Sequence, residues 1–205
     1  MANHVITRVW IAEGNDATQE VMKKINERHQ NDDAKKQWEH QVPTFALFEE
    51  TLEAYDKEDY SSVTNMIGTK WSYVFDWDDC DSISFESAWG TPEGAIERIY
   101  KELEAVDEDV ILAYTSEDEG PNWVEAGVYS DGQLDDAITW DSDEFADLGI
   151  KLWWDEDAEG EEEPDDFEPN WEDLYELMDK AVDELVSDIH KYNRNSEDTL
   201  EEIVD

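Results

Sequence analysis

The sequence is poor in several things that would each have opened a functional class. It has one cysteine, Cys80, embedded in the acidic run Asp-Trp-Asp-Asp-Cys-Asp at 76–81. A single cysteine closes no internal disulfide, and flanking carboxylates disfavour the thiolate that nucleophilic or redox chemistry requires. No apolar run approaches the ~18–20 residues that span a bilayer. The opening residues lack the basic and apolar regions of a secretory leader, so the expected location is the cytoplasm. No phosphate-binding loop or dinucleotide fingerprint occurs. His4, His29, His40 and His190 show no zinc-ligand spacing.

Basic residues are the most conspicuous shortage. Fourteen Lys and Arg stand against 58 Asp and Glu, a formal charge of −44. A field of that sign repels nucleic acid and anionic membranes and attracts basic surfaces with fast, salt-sensitive association. The charge is uneven: residues 1–66 carry 13 acids and 7 bases, a net of −6, which leaves −38 for residues 67–205.

What is present in abundance is aromatic: 10 Trp, 8 Tyr and 6 Phe. A disordered acidic tail has few such residues, because it buries nothing. The stretch 153–172, Trp-Trp-Asp-Glu-Asp-Ala-Glu-Gly-Glu-Glu-Glu-Pro-Asp-Asp-Phe-Glu-Pro-Asn-Trp-Glu, sets both features side by side. The aromatics supply core for a folded scaffold that holds carboxylates in place against their mutual repulsion.

Hydrophobic periodicity gives an element order. Alternation predicts a strand at 5–11, and an Asn/Asp cap then leads into a helix carrying Val21, Met22 and Ile25. A helical insertion occupies about 30–66, with one helix beginning at Pro43 and showing Phe45, Phe48, Leu52 and Tyr55. Strands follow at 70–77, with Trp71, Tyr73, Phe75 and Trp77 as the expected buried face, and at 82–89. Thr91 is the expected cap of a helix with Pro92 in its first turn and Ile96, Ile99, Tyr100 and Leu103 as its apolar stripe. A strand at 109–115 precedes a hairpin turning at Asp131-Gly132.

This order predicts an α+β fold with the split βαβ sheet called ferredoxin-like, spanning 1–140. An acidic extension, 141–205, follows. Its amphipathic helix at about 170–191 starts from an Asn170 cap, with Trp171, Leu174, Met178, Val182, Leu185 and Ile189 as the apolar stripe.

The segments Asn-His-Val-Ile-Thr-Arg-Val-Trp at 3–10, Gly-Thr-Lys-Trp at 68–71, Phe-Glu-Ser-Ala-Trp-Gly-Thr-Pro at 85–92 and the run from Ala113 to Tyr129 resemble the YubB-type ferredoxin-like family of plasmid and phage proteins. Ser87 stands where that pattern has Thr, and Gly90-Thr91 where it has Ser-Pro. The resemblance implies the ferredoxin-like topology and a mobile-element context. It brings no reaction, and the cysteines of an iron–sulfur site are absent.

Chemistry-bearing constellations are few. An EF-hand template can be laid on 155–166, with Asp155, Asp157, Glu159, Gly160 and Asp166 at ligand and turn positions. Four positions break the pattern, so no calcium site, and no metal or cofactor at all, is expected. Carboxylate pairs at glycosidase spacing are uninformative among 58 acids. No enzyme is expected.

Charge geometry remains. Glu172, Glu176, Asp179 and Asp183 recur at helical spacing as an acidic stripe. Asp76, Asp78 and Glu86 are expected on polar strand faces, and Asp155, Glu156, Asp157, Glu161, Glu162, Glu163, Asp165 and Asp166 add a dense acidic run. Trp153 and Trp154 are candidate aromatic anchors. The expected function is a DNA-mimic inhibitor acting in the host cytoplasm. It would occlude the basic DNA-binding surface of a host restriction, CRISPR or other DNA-processing protein, and would bind no nucleic acid or membrane itself. Two rivals are an acidic chaperone for a basic partner and a halophilic protein whose charge has no target.

Overall fold

The computed structural model describes residues 3–30, 42–76, 81–120, 122–152 and 170–204. Six strands form one antiparallel sheet: β1 (His4–Glu13), β2 (Ser72–Asp76), β3 (Ser82–Ala88), β4 (Ile111–Asp118), β5 (Trp123–Ser130) and β6 (Gln133–Asp141). Their order across the sheet is β2-β3-β1-β4-β5-β6. The fold is α+β.

Alternation explains why β1 is central. Val5, Thr7 and Val9 are buried on one face, while Ile6 and Trp10 stay half-exposed on the other. The first face is covered by α1 (Asp16–Gln30) and α2 to α4, which run over Glu49–Asp56, Tyr60–Ile67 and Glu93–Glu104. Met22 and Ile25 of α1 meet Ile96, Ile99, Tyr100 and Leu103 of α4 over Val9, Phe85 and Leu112. Each buried aliphatic or aromatic side chain of this kind stabilises by about 1.5–3 kcal/mol.

Two glycines are sterically required. A Cβ on Gly94 would lie 2.2 Å from the Met66 carbonyl oxygen, so α4 begins against the end of α3 only with hydrogen there. A Cβ on Gly127 would lie 2.5 Å from the Tyr114 ring, which lies over its cross-strand partner.

The second face is half covered. A short helix, α5 (Ser142–Asp147), leads toward α6 (Trp171–Val204), and α6 lies on β4 and β5. Ala181, Val182, Leu185 and Ile189 pack on Ile111, Ala113, Ala126 and Val128. Leu174 and Met178 pack with Val124, Phe145, Ile150 and Leu152. Trp10 and Ala12 at the far end of β1 pack against the first of these clusters, while no helix makes extensive contact with β3 or β2 on that face among the described residues.

Several expectations need correction. Trp71 and Tyr73 are only half-buried and Phe75 is 60% exposed, whereas Ser72 and Val74 are buried. In this edge strand Val74 pairs with Phe85 of the core, which turns Tyr73 to the opposite, open face beside Glu86. Trp77 lies outside the described residues. The helix expected from Pro43 is split: a 3-10 turn, Thr44–Leu47, stops at Phe48, whose backbone is extended, before α2 begins. Buried Thr51 ties the break together by donating to the Phe45 and Phe48 carbonyls. Helix α4 starts at Glu93 with Pro92 as its cap residue, and the Thr91 hydroxyl turns instead to Glu125 at 3.3 Å. Helix α6 continues to Val204, beyond the expected end near 191. The Asp131-Gly132 hairpin is as expected, a two-residue loop with φ of 47° and 85°.

Candidate functional site

The acidic face of α6 is the first element of the site. Its register is set by the buried stripe: with Leu174, Met178, Ala181, Val182, Leu185 and Ile189 against the sheet, Glu172, Glu176, Asp179 and Asp183 project outward. All four are exposed and have no ion pair among the described residues. Of the lysines of this helix, Lys180 lies among the acids but turns to Glu184 at 3.8 Å, and Lys191 pairs with Asp188 at 2.6 Å. His190 meets Glu13 of β1 at 2.8 Å, tying the helix to the sheet.

Trp171 departs from the expected apolar stripe. It is 38% exposed and stacks on Tyr175, itself 45% exposed, with ring centroids 6.4 Å apart. Helical spacing of four places both rings on one side of the first turns, beyond the edge of the sheet-facing stripe. Sequence periodicity admits Trp171 to that stripe; only the docking angle of α6 reveals that the sheet does not reach it.

Beneath these rings runs a cleft between α6 and the open half of the sheet. One part, about 260 Å³, is lined by Ile6, Glu117, Asp118, Glu119, Trp171 and Tyr175. The other, about 450 Å³, shares Ile6, Glu117 and Tyr175 and extends past Arg8, Phe75, Ser84 and Asp179. Glu117 is the floor of both. Burial pushes its carboxyl above the usual range, against the lowering effect of the hydrogen bond that the Tyr175 hydroxyl donates. Its Oε2 is buried with no hydrogen-bond partner among the described residues. The neighbouring carboxylates are already engaged: Asp118 accepts from the side-chain amides of Asn3 and Asn122, and Glu119 from the His4 backbone N–H. Glu117 escaped sequence reasoning because alternation marks it only as a polar strand residue.

Glu86 lies on the open sheet face, paired with the imidazole of His4, and is therefore not a free surface acid. Asp76 ends β2. Asp78, Trp153, Trp154, Asp155, Glu156, Asp157, Glu161, Glu162, Glu163, Asp165 and Asp166 lie outside the described residues, as does the EF-hand-like loop. No cluster of metal-ligating side chains occurs among the described residues. No described helix is long and apolar enough to cross a membrane.

Two further concentrations of chemistry lie away from α6. Glu93 and Glu125 flank the Tyr114 hydroxyl, which donates to Glu125 at 2.8 Å, and burial together with Glu125 raises the Glu93 carboxyl. A cleft of about 460 Å³ at the β2 edge is walled by Phe45, Tyr55, Tyr60, Trp71 and Tyr73, with Lys70 at its lining.

What the α6 region can do is hold an ordered set of negative charges next to exposed rings. Comparisons with protein-family models, with curated proteins and with solved structures found no match. The YubB-type likeness therefore rests on the motifs quoted from the sequence.

Proposed function

We propose that the protein is a DNA mimic: a non-enzymatic inhibitor that occupies the basic DNA-binding surface of a host restriction, CRISPR or other DNA-processing protein. The observation that carries this reading is the outward face of α6, where Glu172, Glu176, Asp179 and Asp183 stand unpaired on a helix fixed by a buried stripe. An ordinary solvated face intersperses both signs. At ~1.5 Å rise per residue these four carboxylates span about 16 Å. That line is sparser than a DNA strand, with one charge per ~3.4 Å. Asp173, exposed in the first turn of the same helix, thickens it. Rigidity matters as much as density, because carboxylates carried on a docked helix spend side-chain but not backbone entropy when a basic groove closes on them.

The strand order β2-β3-β1-β4 supports the ferredoxin-like reading of residues 1–140, with β5 and β6 added at one edge. The acidic extension then lies on the sheet face opposite the two crossover helices. On this reading the acidic run 155–166 adds charge and Trp153 or Trp154 serves as an anchor.

The test is competition. The partner retained from host lysate at low salt is purified, and its affinity for DNA is measured with and without the protein. Replacing Glu172, Glu176, Asp179 and Asp183 together by Lys abolishes competition, while replacing exposed Glu20 and Glu27 of α1 leaves it intact. Simultaneous binding of protein and DNA without mutual loss of affinity refutes mimicry, and a retained basic protein that handles no DNA favours the chaperone reading.

A further inference from the structure

The cleft under Trp171 and Tyr175 is lined by a carboxylate whose Oε2 has no partner among the described residues, by partly exposed rings, and, at that end, by no Lys or Arg among the described residues. We propose that it is a receptor for an arginine side chain of the basic partner, which enters between α6 and β4 and lies against the Trp171 and Tyr175 rings over Glu117. The inference rests on the proposed binding to a basic protein and names the anchor within it.

Three features point to a cation of this shape. First, Glu117 Oε2 is buried and unsatisfied among the described residues. A buried acceptor left without a donor is costly in the free protein, and a rotation of the carboxylate toward the cleft lets an incoming N–H group remove that cost. Second, Trp171 and Tyr175 keep exposed ring surface beyond the side on which they stack, and indole is the best aromatic partner for a cation. The flat guanidinium both stacks on a ring and directs donors in its plane, which an ammonium cannot do. Third, the charges around the 260 Å³ end are all negative: Glu117, Asp118 and Glu119. Arg8 lies only in the adjoining part of the cleft, where its guanidinium sits 5.4 Å from the Trp10 ring centroid. The cation is thus directed to the Trp171 end. The remaining wall is Ile6, an apolar surface for the aliphatic stem of an arginine.

The experiment measures binding of a fluorescein-labelled arginine-rich peptide by anisotropy at about 0.1 M salt, where charges beyond ~10 Å are largely screened. A lysine peptide of equal length runs in parallel. Trp171→Ala and Glu117→Gln each weaken the arginine peptide by about 3- to 30-fold, and Tyr60→Ala, at an exposed ring elsewhere, does not. Tyr175→Phe keeps the ring but removes the hydroxyl that competes for Glu117, so it binds as well as wild type or better. Thermal unfolding confirms that each variant is folded. The proposal is overturned if the fourfold charge reversal on α6 weakens the peptide while Trp171→Ala and Glu117→Gln do not; the DNA-mimic reading then survives without it. Equal affinity for lysine and arginine peptides, or no arginine-peptide binding, also overturns it. Cleft-dependent peptide binding by a protein that fails to compete with DNA retains the receptor and removes the mimic.

Discussion

If the acidic stripe of α6 serves a partner and not the fold, it is held at some cost in stability, and neutralising its middle should reveal that cost. Glu176→Gln with Asp179→Asn removes repulsion at helical spacing between Glu172 and Glu176, Asp173 and Glu176, Glu176 and Asp179, and Asp179 and Asp183. It also removes one attraction, Glu176 with Lys180. Each such pair is worth about 0.2–0.5 kcal/mol. Three pairs net of the attraction give a gain of about 0.6–1.5 kcal/mol. For a domain of this size that raises Tm by about 1–6 °C. Helix propensity does not confound the result, since Gln matches Glu and Asn matches Asp closely. Neither change reaches the buried stripe, because both side chains are exposed. The assay is thermal unfolding by circular dichroism at low salt and again near ~1 M salt, where screening acts within about 3 Å. The gain should shrink in high salt. A variant no more stable than wild type at low salt, or a gain insensitive to salt, refutes the argument that these carboxylates repel one another.

Two other predictions concern the framework and the cleft. Gly94→Ala places a methyl 2.2 Å from a backbone oxygen, which no side-chain movement relieves, so it should destabilise by at least the ~1–3 kcal/mol typical of overpacking. Urea unfolding measures this, and a loss below about 0.5 kcal/mol would mean that α3 and α4 part easily. Glu117→Gln should be more stable than wild type at neutral pH. The fold raises the Glu117 carboxyl, so it disfavours the charged form. The penalty is absent below the ordinary carboxylate range, grows as pH rises through it, and is complete above the raised value. Stability curves of the two proteins should therefore converge in acid; a constant gap would assign the difference to something other than ionisation.

Much of the framework was legible because each element carries its own periodicity. The β-branched alternation of Val5 to Ile11 and the stripe from Ile96 to Leu103 each state a buried face without outside help. The acidic stripe of α6 was legible for the same reason: once Leu174, Met178, Val182 and Leu185 are inward, the outward residues follow. What depends on neighbours was not. The aromatics of β2 read as core because rings usually are, yet an edge strand takes its orientation from the strand it joins, and Phe85 claims Val74. Trp171 read as core because the stripe is periodic, yet the helix overhangs the sheet there. The Glu117 floor arises where β4 and α6 meet, more than fifty residues apart in the chain, so no local pattern announces it.

The central position of β1 has a consequence for how the chain comes to be folded. It is synthesised well before its partners β3 and β4, which begin at Ser82 and Ile111. During synthesis at ~5–20 residues per second, Val5, Val9 and Ile11 wait several seconds before either edge is paired. The apolar residues of β4 and β5 wait again for α6, which follows them. A nascent chain with open strand edges is exposed to aggregation, and here net negative charge accumulates mainly after residue 66. Early vulnerability should therefore be greatest in chains truncated between β1 and β3, before that self-repulsion has built up.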